Sequence, residues 1–173
     1  MTTTKQIIKN STVVNDDWSV LRLQEGDTAE TVTVPVGKTL VPLKVWLAQQ
    51  TVLLHRADIG VWFASDERVE DLQDHVAKFS VIGVDFPKFG DGRGYTIAYR
   101  LRERSGYRGE LRAIGDVLRD QLFYMQRAGF DAFAVRADKD IHEALKSLKD
   151  FSITYQASTD EAQPLFRRVQ RGA

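Results

Sequence analysis

The feature that most constrains the fold is an alternation running from residue 59 to residue 156. Short apolar runs, IGVWFA (59–64), SVIGVDF (80–86), ELRAIG (110–115), DAFAVR (131–136) and FSITYQ (151–156), are separated by amphipathic stretches. Runs this short and apolar read as buried strands, and the stretches between them carry helical spacing. Val69, Leu72, Val76 and Phe79 share one face of the first helical stretch. A helix over roughly 94–104 follows the second strand. Leu118, Leu122 and Met125 line the third helix, with Gly129 as its C-cap, and Ile141, Ala144, Leu145 and Leu148 line the fourth. Ser65 or Asp66, Asp116 and Asp140 stand where N-caps are needed. Such βαβ units connect by right-handed crossovers and build a parallel sheet. The expected fold is α/β, with about four βα units in a parallel open or half-barrel-like sheet. That is too few for a closed eight-stranded barrel.

Before this alternation the pattern differs. Residues 1–38 read as a polar tail followed by a small β appendage: residues 1–12 are polar, and Trp18–Leu23 and Thr31–Val36 form β-type runs separated by the turn-like EGDT. The α/β domain is expected over 39–173. It opens with a helix in VPLKVWLAQQTVLLH, where Pro42 suits the first turn and Leu43, Trp46, Leu47, Leu53 and Leu54 share a face.

Charge and composition narrow the function. The 24 basic residues balance 24 acidic ones, so there is no global basic field for nucleic acid or an anionic membrane, and any anion site must be local. There is no cysteine, which excludes a thiol nucleophile, disulfides, cysteine-ligated zinc and cysteine-held iron–sulfur clusters. His55, His75 and His142 lie far apart and match no metal-ligand spacing, so no metal is expected. Neither a G-x-S-x-G elbow nor a nucleotide fingerprint is present, and no redox cofactor is identified. MTTTKQIIKNST lacks an apolar signal core and no run reaches membrane-span length, so a cytoplasmic location is expected.

In sheets of this kind ligands bind beyond the carboxyl ends of the strands. The segment FPKFGDGRGYTIAYRLRERSGYRGE (86–110) begins there. Gly92 and Gly94 flank Arg93 between a strand and a helix, a context in which backbone N–H groups and a guanidinium fork bind anions. Arg119 and Arg136 follow later strands and are expected to assist. Asp85 and Asp91 are the carboxylates placed for acid–base chemistry. The alternative is a plain structural turn, with aspartates that only cap helices. Residues 86–119 hold eight Lys/Arg against four Asp/Glu, a local basic excess suited to a small anion or an acidic partner. Arg102 and Glu103 read as the solvated helix face. Interleaved Tyr95, Tyr99 and Tyr107 read as packing rather than nucleic-acid stacking.

The run GDGRGY, then LRERSGYRGELRAIGDVLRDQL, then GFDAF resembles DUF934, a bacterial family of unknown function whose members are often described as oxidoreductases of sulfite reduction. The resemblance implies an auxiliary protein of assimilatory sulfite reduction. Its partners would be sulfite reductase or that enzyme's electron donor, or a small anion. It supplies no catalytic assignment. Beside this auxiliary role stand an enzyme acting on a small anion at the strand carboxyl ends, and a non-catalytic homo-oligomeric scaffold that hides open sheet edges.

Overall fold

The computed structural model describes residues 4–88 and 90–148. Its eight strands are β1 (Gln6–Lys9), β2 (Thr12–Asn15), β3 (Ser19–Val20), β4 (Thr39–Pro42), β5 (Ile59–Phe63), β6 (Val81–Phe86), β7 (Glu110–Gly115) and β8 (Ala132–Phe133). They form one sheet in the order β2-β1-β8-β7-β6-β5-β4-β3. The helices are α1 (Leu43–Ala48), α2 (Gln50–Leu53), α3 (Arg93–Glu103), α4 (Leu122–Ala128) and α5 (Ile141–Ser147). The stretch Val69–Lys78 is 3-10 helix, kinked at Gln73.

The α/β class and the half-barrel-like curl agree with expectation, but the sheet is mixed rather than purely parallel. β3 to β8 run parallel to one another, while the β1–β2 hairpin adds to β8 antiparallel. β1 and the hairpin turn fall within residues 1–12, read as polar, and β2 continues to Asn15. Asn10 and Ser11 both take positive φ, as a tight hairpin turn of type I′ requires. Ile7 and Ile8 are buried. Two apolar residues among polar ones carry too little signal for a strand, and the pairing with β8 makes it one. Thr31–Val36 is not a strand; only Ser19–Val20 of the run Trp18–Leu23 is. Val41 and Pro42, read as the start of a helix, belong instead to the strand Thr39–Pro42, buried at all four positions, and the helix starts at Leu43. The expected strand 151–156 lies outside the described residues.

Connectivity explains the curl. β2 and β3 occupy opposite edges of the sheet, yet only Asp16, Asp17 and Trp18 join them. Four residue steps reach about 14 Å. Eight flat strands would hold those edges roughly 34 Å apart, at about 4.8 Å per spacing. The sheet must therefore roll until its edges approach. Hydrogen bonds from Asp16 N–H to Lys5 O (2.8 Å) and from Ser19 N–H to Lys38 O (3.0 Å) hold the strap at each end.

The two faces differ accordingly. Val61, Phe63, Ile82, Val84, Leu111 and Ala113 meet Trp46, Ile97, Leu101, Leu122 and Met125 on the helix-covered face. On the concave face Trp18, Leu40, Trp62, Val81 and Ile114 form a second apolar cluster, to which no helix among the described residues contributes. Beside it lies a buried charge cluster. Arg112, 2% exposed, pairs with Asp16 of the strap (2.8 Å) and with Glu110 (2.7 Å), and Lys5 and Lys9 complete those carboxylates' pairs. Burial pushes the Asp16 carboxyl up, but its bonds to Lys5, Arg112 and the Trp18 N–H leave it below the ordinary value.

Candidate functional site

The carboxyl ends of β6, β7 and β8 open into a groove of about 430 Å³ lined by Arg22, Asp85, Phe86, Gly115, Asp116 and Arg136, among others. Curling creates it. Arg22 follows edge strand β3, yet its Nη2 donates to Asp85 Oδ1 on β6 at 2.8 Å. Its guanidinium lies 5.0 Å from the Trp62 ring centre, and the Trp62 indole N–H donates to Leu21 O (3.0 Å), which fixes the chain just before the arginine. Across the groove Arg136 donates to Asp116 (2.8 Å) and, through two nitrogens, to Asp138 (2.6 and 2.8 Å). These bonds hold the Arg136 guanidinium firmly charged and lower the Asp138 carboxyl to about 2. Lys139 sits 3.8 Å from Asp138.

Gly115 shapes the floor. Its φ is +91°, and a Cβ there would fall 2.5 Å from Asp85 Oδ1 and 2.6 Å from Phe86 O. Only a residue without a side chain lets the buried Asp85 carboxylate lie against the backbone of β7.

The expected site residues thus divide. Asp85 and Arg136 line the groove together. Arg93 is turned onto its own loop: its fork holds Asp91 at 3.0 and 2.8 Å, and its backbone N–H donates to the same carboxylate at 3.2 Å. Those bonds hold Asp91 well below the usual carboxylate range and push Arg93 up, with Ser65 adding a further bond to Asp91. Gly94 serves packing, because a Cβ there would meet the Phe86 ring at 2.7 Å, whereas Gly92 faces open space. Arg119 pairs with Glu143 at 3.9 Å and lines a separate cavity beside α5. Leu118 rather than Asp116 stands at the N-cap of the turn 119–121, and Asp116 accepts from Arg136. Ser65 and Asp66 do not cap the stretch at Val69 either, where Arg68 stands at the N-cap with no side-chain bond.

Two arginines of 86–119, Arg102 and Arg112, are withdrawn into structure, whereas Lys88, Arg93, Arg104, Arg108 and Arg119 stay exposed. Arg102, read as solvated, donates to the carbonyls of Gly129 (2.9 Å), Tyr107 (3.0 Å) and Gly109 (2.8 Å) and pairs with Asp131 (3.3 Å). Tyr107 is buried, and its hydroxyl lies 3.1 Å from the carbonyls of both Phe79 and Glu110. Arg102, Tyr107, Gly109 and Asp131 therefore form one anchor that ties α3 to β7 and to the turn after α4. The cavity of about 360 Å³ beside Arg102 is lined by Arg102 and Asp131 of that anchor together with Arg108 and others.

Arg22 and Trp62 escaped the sequence reading, and Gly115 entered it only within the family-like run. Arg22 is one polar residue inside a strand-like run, and nothing local marks it; Gly115, at a strand end before Asp116, was the one legible hint. Among the described residues no group of three His, Cys, Asp or Glu is arranged to hold a metal ion. His75 instead contacts Gln50 (2.9 Å) and the edge of Trp46. No helix among them is long and apolar enough to cross a membrane.

No curated protein and no solved structure matches the chain significantly. A family profile described as "Bacterial protein of unknown function (DUF934)" matches residues 60–166, a stretch that holds β6 and β7, the anchor and the Asp85, Asp116 and Arg136 side of the groove. The chain belongs to that family, DUF934.

Proposed function

We propose that the protein holds a small molecule by an oxyanion group in the groove at the carboxyl mouth of the half-barrel. We further propose that it serves assimilatory sulfite reduction as an auxiliary protein, in contact with sulfite reductase or its electron donor. The observation that carries the site is the convergence of Arg22 and Arg136 on one groove from strands far apart in the sheet. Guanidinium forks already aligned by carboxylates can exchange those partners for a ligand oxyanion. The Gly92–Arg93–Gly94 loop supports the role less well, because Asp91 occupies the Arg93 fork. The sulfite-reduction context comes from the family resemblance.

An enzymatic variant of the same reading assigns proton transfer to Asp85. It is the groove's buried carboxylate, 8% exposed, and it faces both an arginine and bare backbone. Asp91 fits that task less well, since a carboxyl held so low is a poor proton carrier near neutrality.

The test is sulfide production from sulfite in extracts of a deletion strain, with sulfite reductase level held equal and purified protein added back. Wild type and Arg93→Ala are expected to restore flux, and Arg136→Ala to fail. Restoration by Arg136→Ala together with failure of Arg93→Ala would move the site to the loop. Flux that wild-type protein leaves unchanged would remove the sulfite-reduction role.

A further inference from the structure

The charges at the mouth alternate and cancel. Arg22 pairs with Asp85 at 2.8 Å, Arg136 with Asp116 at 2.8 Å and Asp138 at 2.6 Å, and Lys139 adds the cation that balances the last carboxylate at 3.8 Å. A simple oxyanion entering such a groove must take a guanidinium from its carboxylate. If that carboxylate is Asp85, a buried charge loses its partner, which is strongly unfavourable. A molecule carrying both an oxyanion and an ammonium avoids this penalty. Its anionic end takes the arginine fork while its ammonium, a compact donor of three N–H bonds, takes the carboxylate the arginine released. Every charge then keeps a partner.

From this pairing we infer that the groove selects a small zwitterion of the α-amino acid class, bound by Arg22 or Arg136 at its carboxylate and by Asp85 or Asp116 at its ammonium; the inference rests on the mouth being the binding site. The groove is shallow and open to solvent, with room for a small molecule against its floor. Arg22 is pre-set for the role. Its guanidinium lies 5.0 Å from the Trp62 ring centre, a second contact besides Asp85 that favours its position at the groove.

Isothermal titration of the full-length protein at pH 7 tests this. The probes are L-serine and L-alanine as zwitterions, propionate and ethylamine as their single-charge halves, and sulfite and sulfate as simple oxyanions. At least one zwitterion is expected to bind ten-fold or more tightly than either half and than the oxyanions. Arg22→Ala and Asp85→Asn are each expected to weaken it at least ten-fold with circular dichroism unchanged. If Asp85→Asn does not fold, Asp116→Asn and Arg136→Ala take its place. Sulfite or sulfate binding as tightly as the zwitterions, and lost in Arg22→Ala, would overturn the ligand class while leaving the mouth as the site. Failure of every probe, or binding that none of these variants alters, would overturn both.

Discussion

Two sets of arginines in this protein have opposite fates. Arg102 and Arg112 lie in the segment richest in arginine, and both are withdrawn into structure: one bonds three backbone carbonyls, the other is buried between Asp16 and Glu110. Arg22 and Arg136 lie outside the segment 86–119 and stand half-exposed at an open groove, 46% and 42% by side chain. What makes a guanidinium available is therefore where its N–H groups are already engaged, rather than how many arginines share a stretch. An arginine aimed at carbonyls has no competing acceptor and stays. One aimed at a carboxylate in an open groove can trade one charged acceptor for another.

The sharpest way to break this contrast is Arg112→Ala. It would leave Asp16 and Glu110 without their central partner beneath the strap, costing about 3–5 kcal/mol. A fall in melting temperature of more than about 6 °C is expected. A fall under 2 °C, as for an exposed arginine, would place Arg112 with the mouth set.

Arg102→Ala is the next largest change. Stripping the carbonyls of Tyr107, Gly109 and Gly129 of a charged donor should cost about 2–3 kcal/mol in urea unfolding. Lysine at the same position should recover only part of that, because a point charge cannot span three carbonyls. Full recovery by lysine would show that charge rather than fork geometry matters.

Gly115→Ala sharpens the other side. A side chain at φ +91°, set against Asp85 and Phe86 O, should cost about 1–3 kcal/mol. It should also disturb the Asp85 signals in a carboxyl-detected NMR spectrum more than those of Asp131. Unmoved Asp85 signals would show that the floor tolerates a side chain.

The smallest effect concerns pH. Arg136 lowers the Asp138 carboxyl to about 2 from 3.8, so the native state binds fewer protons than the unfolded chain in that window. The pair's contribution to stability is complete above pH 3.8 and disappears as pH falls through about 2. The melting-temperature difference between wild type and Asp138→Asn should therefore shrink to nothing between pH 4 and pH 2. A difference that stays constant over this range would mean that the substitution acts through something other than the Asp138 charge.

Much of the fold was legible. The strands at 59–63, 81–86 and 110–115, helix α3, the Gly129 stop and the Asp140 cap, whose carboxylate accepts from the His142 and Glu143 N–H groups, all follow from period and cap chemistry. Half of the groove was legible as well, since Asp85 and Arg136 stand at strand ends. The β1–β2 hairpin was not legible, because Ile7 and Ile8 are apolar among polar neighbours and become a strand only by pairing with β8. Thr39–Pro42 was not, because a run buried on both faces lacks the alternation that distinguishes strand from helix. Arg102 was assigned to solvent because helical spacing places a residue on a face but does not say what later folds over that face.

By itself the sequence determined the strands at 59–63, 81–86 and 110–115 and the helices α3, α4 and α5, because hydrophobic period, caps and turn residues act over a few neighbours. It did not determine that Val69–Lys78 is a kinked 3-10 stretch or that β8 is only two residues long. The tertiary structure alone decided which charges meet. Arg22 and Asp85 are 63 residues apart, and Asp16 and Arg112 are 96 apart. They come within 2.8 Å only because a three-residue strap draws opposite sheet edges together. That closure depends on the reach of the chain between distant strands, which no local pattern of residues records.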